Sequence, residues 1–260
     1  MKAAVFLLML CYVGRITAFK CEEAQYLHDI VQIDAGQGHV VATTKENNVF
    51  IMSGNIWISL GKTKLKHVTV GRAGIWGVND QNYLFRFVAD EFQRPKNAQM
   101  LAQVDAGADH GIVGVSENTI CLKISDAQSF IGGTDLVFER LSIDDLTVYI
   151  SCGGNGCWGV TKSNTVQFTQ TLTTSNCTDS GWEEVPKGPQ LTMIEVSESG
   201  RVFALDTAGS IFERTGISTR NPKGEKWTEI SMCFVANHVT FDLKHLWVAT
   251  KSGFVLNCTE

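Results

Sequence analysis

Two short strings place an aspartate and a histidine at the same spacing. Both read D-A-G-x-x-H, with Asp34 before His39 and Asp105 before His110. Aspartate and histidine are common metal ligands. Each aspartate also directly precedes an Ala-Gly pair, and aspartate before glycine is typical of a tight turn. We therefore predict hairpin turns at these strings, and we expect the chain to use no metal and no other cofactor.

Three tryptophans stand beside polar segments and suggest a second kind of chemistry. They are Trp57, Trp182 and Trp227, the last two in "TDSGWEEVPKG" and "NPKGEKWTEI". The apolar face of a sugar ring stacks on an exposed aromatic side chain, while nearby amide and carboxylate groups bind its hydroxyl groups. A tryptophan that holds an outer strand onto its sheet is the more common case. Both interpretations stay open at this point.

The chain begins with a segment that is typical of a secretory signal peptide. In "MKAAVFLLMLCYVGRITA" a lysine precedes a short apolar run, and small residues follow. We predict that residues 1–18 are removed after Ala18 and that residues 19–260 form a single secreted domain. No other run reaches the roughly 18 apolar residues of a membrane span, so no membrane insertion is expected.

The composition argues against a nucleic-acid partner. The chain has 44% hydrophobic and 19% charged residues and a formal net charge of −5. An acidic chain without runs of lysine or arginine does not bind nucleic acid through a basic surface. We therefore expect no nucleic-acid partner.

Six copies of one unit account for the length of the predicted domain. Each unit has an apolar position in the middle of its second predicted strand, and neighbouring copies are 35 to 45 residues apart. These anchor positions are Val41, Trp76, Val113, Trp158, Phe203 and Trp247. We expect the tryptophans among them to pack one unit against the next.

Each unit contains four short segments with the alternation of β-strands, separated by turn residues. Four strands in about 35 to 45 residues is typical of a propeller blade. The last unit ends after its third strand, at "GFVLNCTE", and the segment "CEEAQYLHD" near residue 21 supplies a spare strand. Tyr26 lies there where other units carry tryptophan. The sequence thus predicts an all-β, six-bladed β-propeller whose ring closes when the N-terminal strand joins the last blade.

Seven cysteines remain after removal of the signal, and an oxidising compartment favours disulfides between them. Ring closure would place Cys21 beside Cys258. Cys152 and Cys157 can pair across one hairpin, and Cys121 and Cys177 can link blades three and four. This leaves Cys233 as the odd thiol, and a homodimer bridged by it is possible. Sequence alone does not determine the pairing. Asn176, in the string Asn-Cys-Thr, is the candidate glycosylation site.

The blade pattern V-x-x-G…V-W-G-V-N…I-x-x-R…G-x-x-W-x-x-V resembles the tectonin repeat. The six units, the terminal cysteines and the predicted secretion together resemble the fish-egg lectins, over nearly all of the predicted mature chain. This resemblance implies a propeller that binds sugars, with glycans containing N-acetylglucosamine (GlcNAc) or bacterial lipopolysaccharide as partners, in egg or innate defence.

The sequence departs from that pattern unevenly. Blade one has Val41-Ala42-Thr43 and blade three Val113-Gly114-Val115 where Trp-Gly-Val is expected, and blade two has only Phe92 in its fourth strand. Sugar sites built on repeat aromatics therefore cannot be equal. Three longer loops on one rim are the expected contact surface, at Asp126–Thr134, Thr173–Trp182 and Gly216–Trp227. Within them the candidate sugar-binding residues are Trp182, Trp227, Asn221 and Arg220.

Two other functions compete with a sugar-binding one. A non-lectin extracellular interaction or egg-matrix scaffold would use the same propeller without sugar chemistry. A hydrolase would need a central site that no motif reveals, because the chain lacks G-x-S-x-G, H-E-x-x-H and a phosphate-binding glycine loop. We therefore expect no enzymatic activity.

Overall fold

The computed structural model describes residues 19–25, 27–97, 100–107, 111–116, 119–141, 143, 146–173, 177–186 and 188–260. Within them the chain forms six four-stranded antiparallel sheets. Blades one to three contain β2 (Ile30–Gly36), β3 (His39–Thr44), β4 (Val49–Ser53), β5 (Ile56–Ser59); β6 (His67–Gly71), β7 (Gly74–Val78), β8 (Leu84–Val88), β9 (Glu91–Gln93); β10 (Gln103–Asp105), β11 (Ile112–Val115), β12 (Thr119–Leu122), β13 (Phe138–Arg140). Blades four to six contain β14 (Thr147–Gly153), β15 (Gly156–Thr161), β16 (Val166–Thr169), β19 (Glu183–Glu184); β20 (Leu191–Val196), β21 (Val202–Asp206), β22 (Ile211–Thr215), β23 (Lys226–Ile230); β24 (Ala236–Asp242), β25 (His245–Thr250), β26 (Val255–Thr259), β1 (Lys20–Glu23).

The prediction of an all-β, six-bladed propeller is confirmed, including the way in which the ring closes. Strand β1 pairs with β26, so residues near the N-terminus supply the fourth strand of blade six. Cys21 and Cys258 face each other in that register and form a disulfide. The first strands of successive blades contact one another around the ring, from β2 through β24 and back to β2.

The anchor positions pack neighbouring blades together, as expected. Trp76 is fully buried in a cluster that joins blade two to Leu101, Val104 and Ile112 of blade three. Trp158 is fully buried in the cluster that joins blades four and five. These aromatic side chains bury large apolar areas where two twisted sheets meet, so they stabilise the stacking of the blades.

The turn between the second and third strands has the same chemistry in several blades. Asn47, Asn82 and Asn164 adopt positive φ there, of 62°, 66° and 62°. Each donates its backbone N–H to the carbonyl three residues earlier. Asparagine tolerates this left-handed conformation better than most residues do. A short polar turn thus returns the chain onto the same sheet in each case.

Two excursions interrupt the repeat on the connections between third and fourth strands. The helix α1 (Ile124–Ser129) lies between β12 and β13, and a two-stranded hairpin of β17 (Leu172–Thr173) and β18 (Thr178–Asp179) lies between β16 and β19. The sequence showed no helical periodicity here, because six residues are too few to display it. Ala127 and Phe130 of this excursion are buried against blades two and three.

The three predicted disulfides are present, joining Cys21 to Cys258, Cys121 to Cys177, and Cys152 to Cys157. The assignment of Cys233 as an odd thiol was wrong, since Cys233 is disulfide-bonded. Its partner is not one of the described residues. The signal segment 1–18, Tyr26 and the candidate glycosylation site Asn176 also lie outside the described residues.

Candidate functional site

The described parts of the three long loops singled out from the sequence lie on one face of the propeller. Each connects the third strand of a blade to its fourth strand, in blades three, four and five. In a ring of antiparallel blades these connections all emerge on the same side. The rim that they form carries the four candidate sugar-binding residues.

Three of those residues belong to the loop of blade five. Ser218 and Asn221 exchange two backbone hydrogen bonds, each 3.0 Å long, which fold the loop tip into a tight turn. This turn leaves Arg220 exposed and Asn221 half-buried. Trp227 follows on β23, opposite Arg214 of β22.

Trp227 is half-buried, and its ring makes several contacts within the protein. It meets the ring of Trp158 edge to face, with centroids 6.1 Å apart. The guanidinium carbon of Arg214 lies 5.4 Å from its centroid. A β-carbon added to Gly188 would come within 2.7 Å of the indole. Trp227 therefore stabilises the junction of blades four and five in addition to any contact with a ligand.

Arg214 is a cation of this rim that the sequence did not single out. Its Nε donates to the carbonyl of Lys223 at 2.7 Å and its Nη2 to that of Gly224 at 3.3 Å. Its Nη1 is buried and has no hydrogen-bond partner among the described residues. Burial lowers the pKa of this guanidinium, although arginine stays protonated at neutral pH. Only the predicted strand pairing with Trp227 could have drawn attention to it.

Trp182 lies in blade four, apart from the other three candidates. It packs against the cluster that joins blades three and four, next to Cys121, Leu172 and Cys177. Its indole N–H is buried without a partner in the part of the chain that the structure describes. The next residue, Glu183, forms an ion pair with Lys223 of blade five at 2.5 Å. This pair links the two loops into a continuous rim.

A second group of polar residues surrounds the central axis, where the sequence predicted hairpin turns. The cross-strand partners of the six anchor positions form a ring that we call the acidic layer. Its members are Asp34, Thr69, Asp105, Ser151, Glu195 and Thr240.

In the acidic layer each side chain reaches the next blade. Asp34 accepts the N–H of Val70 at 2.6 Å, and Asp105 accepts that of Cys152 at 3.0 Å. The hydroxyl oxygens of the layer accept backbone N–H groups in the same way. For example, the hydroxyl oxygen of Thr69 accepts the N–H of Ala106 at 2.9 Å. The interpretation of the D-A-G strings as hairpin chemistry was therefore incomplete, because their aspartates connect blades. His39 is exposed on the turn, and His110 lies outside the described residues.

Burial dominates the acid–base behaviour of this ring. It raises the pKa of Asp34 to about 6 and that of Asp105 to about 8, and the charge of Asp34 adds to the second shift. Burial, followed by the charges of both aspartates, raises the pKa of Glu195 well above its usual range. Asp34, Asp105 and Glu195 line a small cavity together with Glu198.

The residues two positions earlier in the first strands form a neighbouring ring, which we call the axial layer. Its members are Gln32, His67, Gln103, Tyr149, Met193 and His238. Gln32 and Gln103 pair with backbone groups of the next blade, at Val68 and Ile150. Burial lowers the pKa of His67 well below its usual value and that of His238 to about 4. Burial also raises the pKa of Tyr149.

Comparison with known proteins identifies the family to which the repeated blade belongs. The family model described as the Tectonin domain matches residues 29–251 of the chain. The chain belongs to the tectonin family. The fish-egg lectin of Cyprinus carpio is 33% identical to this tectonin propeller over 234 residues, which cover 88% of the chain and 95% of the relative.

Solved structures resemble this tectonin propeller in fold alone. A virginiamycin B lyase from Staphylococcus aureus superposes with a TM-score of 0.59 at 13% identity, covering 93% of the chain and 99% of the lyase. Human WBSCR16 superposes with a TM-score of 0.55 at 12% identity, covering 89% of the chain and 72% of that protein. Their activities carry no implication for this chain, since one fold hosts many functions.

Proposed function

We propose that this tectonin propeller is a secreted, non-enzymatic lectin. It binds GlcNAc-type sugars or bacterial lipopolysaccharide, in egg or innate defence. The observation that carries the proposal is the 33% identity to a fish-egg lectin over nearly the whole ring. The disulfides support secretion, because such bonds persist in oxidising compartments. Within the described residues, no helix is long and apolar enough to cross a membrane.

The proposed sugar site is the rim of blades four and five. Arg220 is exposed at the tip of the blade-five loop, and Asn221 offers an amide beside it. Trp227 and Trp182 supply the aromatic surfaces, each half-buried. A sugar that stacks on the accessible part of one indole would place its hydroxyl groups near these polar side chains.

A retention assay on GlcNAc-agarose tests this function. We expect the protein to bind the resin and to be eluted by free GlcNAc, both with and without EDTA. Failure to bind, together with a glycan array that shows no signal, would overturn the lectin proposal. Elution by EDTA alone would show that binding depends on a cation.

Variants of the loop tip test the position of the site. We expect Arg220→Ala and Asn221→Ala each to weaken GlcNAc binding by roughly 5- to 10-fold, the loss of about one net hydrogen bond. Lys62→Ala is a matched control, because Lys62 is exposed in the connection that leads from blade one to blade two, on the opposite face. Unchanged affinity in both rim variants would place the sugar elsewhere on the ring.

An interaction scaffold remains the second candidate function, and one strand favours it. β5 is the outer edge of blade one and contains no charged residue, and Ile56 and Ile58 on it are exposed. Uncharged apolar edge strands readily pair with another chain. A protein that binds no glycan but assembles through this edge would support the scaffold and oppose the lectin. A homodimer remains a proposal too.

A further inference from the structure

One buried arginine contacts both parts of the proposed sugar site in blade five. Arg214 of β22 donates its Nε to the carbonyl oxygen of Lys223 at 2.7 Å and its Nη2 to that of Gly224 at 3.3 Å. Both carbonyl groups belong to the blade-five loop. The guanidinium carbon of the same side chain lies 5.4 Å from the centroid of the Trp227 ring. A single guanidinium group therefore joins the loop that carries the polar candidates to the aromatic candidate.

The two carbonyl groups lie close to the turn that presents the polar candidates. Ser218 and Asn221 close this turn with two backbone hydrogen bonds, and Gly224 donates its backbone N–H to the carbonyl oxygen of Asn221 at 3.0 Å. The peptide that Arg214 binds at Gly224 is thus followed back, through one hydrogen bond, to Asn221. A change in the guanidinium contact should therefore change the position of the loop tip.

The loop also packs directly on the stem of this arginine. Gly224 has a positive φ of 64°, and a β-carbon there would lie 2.7 Å from the carbonyl oxygen of Thr215 and 3.3 Å from Cγ of Arg214. Glycine accepts both the conformation and the close approach. Lys223, the other residue whose carbonyl is bound, pairs its ammonium group with Glu183 of blade four. The arginine, the loop and the neighbouring blade are therefore one connected unit.

Stability alone is a poor explanation for an arginine at this position. Its side chain is buried, and its Nη1 has no hydrogen-bond partner among the described residues. A buried donor without a partner costs free energy. The planar guanidinium group, however, binds two carbonyl oxygens at once in a fixed geometry, which the single ammonium group of a lysine does not reproduce. What the arginine supplies is thus a defined shape of the loop.

We propose that Arg214 is a positioning residue of the sugar site. It holds the blade-five loop and the Trp227 ring in the arrangement that binds the ligand. This role rests on the proposed lectin function of the same rim. Arg214 acts through the loop and the indole and not by touching the sugar, because its own side chain is buried. Arg220 and Asn221 make the contacts that depend on it.

Arg86 provides a comparison within the same molecule. It lies on β8, also a third strand, and its guanidinium carbon is 5.6 Å from the centroid of the Trp76 ring. Its Nη1 donates to the carbonyl oxygens of Gln128 at 3.0 Å and of Phe130 at 2.5 Å, in the loop of blade three. This is the same kind of contact, made to a loop that carries none of the four candidate sugar-binding residues. A variant of Arg86 should therefore leave sugar affinity unchanged.

Matched lysine variants of the two arginines test the role. We expect Arg214→Lys to bind free GlcNAc roughly 10-fold or more weakly than wild type, from the loss of two hydrogen bonds that fix the loop. Arg86→Lys should keep the wild-type affinity, and isothermal titration calorimetry measures all three proteins. Hydrogen exchange without sugar should be faster at the amides of Asn221 and Gly224 in Arg214→Lys only. Equal loss of affinity in both variants would indicate general destabilisation and overturn the role.

Chemical rescue provides a readout that a merely structural residue would not give. Arg214→Ala should also lose GlcNAc affinity, and millimolar guanidinium chloride should restore part of it, whereas urea at the same concentration should not. If this variant does not fold, the lysine pair still decides. Wild-type affinity or wild-type exchange in Arg214→Lys overturns this role alone. A wild-type protein that binds no GlcNAc overturns the proposed function, and the role of Arg214 with it.

Discussion

The carboxyl group of Asp105 is held inside the propeller by two backbone donors. It accepts the N–H groups of Cys152 and Gly107, at 3.0 and 3.1 Å. Burial raises its pKa from 3.8 to about 8, with a smaller contribution from Asp34. A carboxyl group whose pKa rises on folding favours its protonated form. Its contribution to stability is therefore complete below about pH 4 and is lost as the pH rises through about 8.

Asp105→Asn removes this ionisation while keeping an oxygen acceptor for the same two N–H groups. As the pH rises from 5 to 8, we expect the free energy of unfolding of wild type to fall relative to that of the variant, by at most about 1.4 kcal/mol per pH unit. Urea unfolding at pH 5, 7 and 8 measures this. Asp90→Asn, at an exposed position, is the control. Parallel pH profiles for Asp105→Asn and wild type would contradict the assignment.

At the scale of the elements, the first strands of neighbouring blades approach so closely that glycine is required. A β-carbon on Gly71 of β6 would lie 1.9 Å from the carbonyl oxygen of Ala106 in blade three. The same conflict recurs at Gly107 against Cys152, also at 1.9 Å. No side-chain rearrangement can relieve it, because the opposing atom belongs to the backbone. The inner rim of the ring is therefore built from backbone contacts between blades.

Gly71→Ala should consequently destabilise the propeller by at least about 2 kcal/mol, through displacement of β6 from blade three. Gly54→Ala is a stringent control, since a β-carbon there meets open space although its φ of 59° makes alanine strained. We expect that control to cost about 1 kcal/mol. Chemical denaturation of the two variants in parallel provides the comparison. Equal losses would mean that positive φ matters more than blade contact.

At the scale of the whole molecule, a single disulfide joins β1 to β26, the two strands at which the ring closes (the seam). Cys21 and Cys258 are 237 residues apart in sequence, whereas Cys152 and Cys157 are 5 apart. Restricting the unfolded chain stabilises the fold more when the loop is longer. The seam bond therefore acts on the entire propeller, while the hairpin bond acts within blade four.

Replacing Cys21 and Cys258 together by alanine should cost about 5 kcal/mol in the loop-entropy model, against about 2 kcal/mol for the pair Cys152 and Cys157. Differential scanning calorimetry under non-reducing conditions measures both double variants. A seam variant that melts no earlier than the hairpin variant would show that strand pairing alone closes the ring.

The rim offers unequal loops on one rigid face, so the proposed lectin should gain from avidity if more than one site is active. We expect binding to a dense GlcNAc surface to exceed binding to the free sugar by about 100-fold or more. Surface plasmon resonance at decreasing ligand density provides the measurement. An affinity that does not change with density would indicate a single active site.

Much of this molecule could be predicted from its sequence. Six recurring anchors such as Trp76 and Trp158, turn residues between strands, and a spare N-terminal strand predicted the propeller and its closure, and the topology that they implied suggested the three disulfides. These features are local or periodic, and a periodic pattern of buried residues can be recognised in the sequence. The helix at Ile124–Ser129 was missed because it is too short to show a period.

The polar interior was decided by the tertiary structure alone. Nothing in the string around His67, Tyr149 or His238 relates them, because they lie more than 80 residues apart in the chain and meet only when the ring closes. The same holds for Asp34 and Asp105, whose partners belong to the next blade. The sequence by itself determined the repeated unit and the number of its copies. Ring geometry decided which of its side chains meet at the axis, since that depends on the register and stacking of six separate sheets.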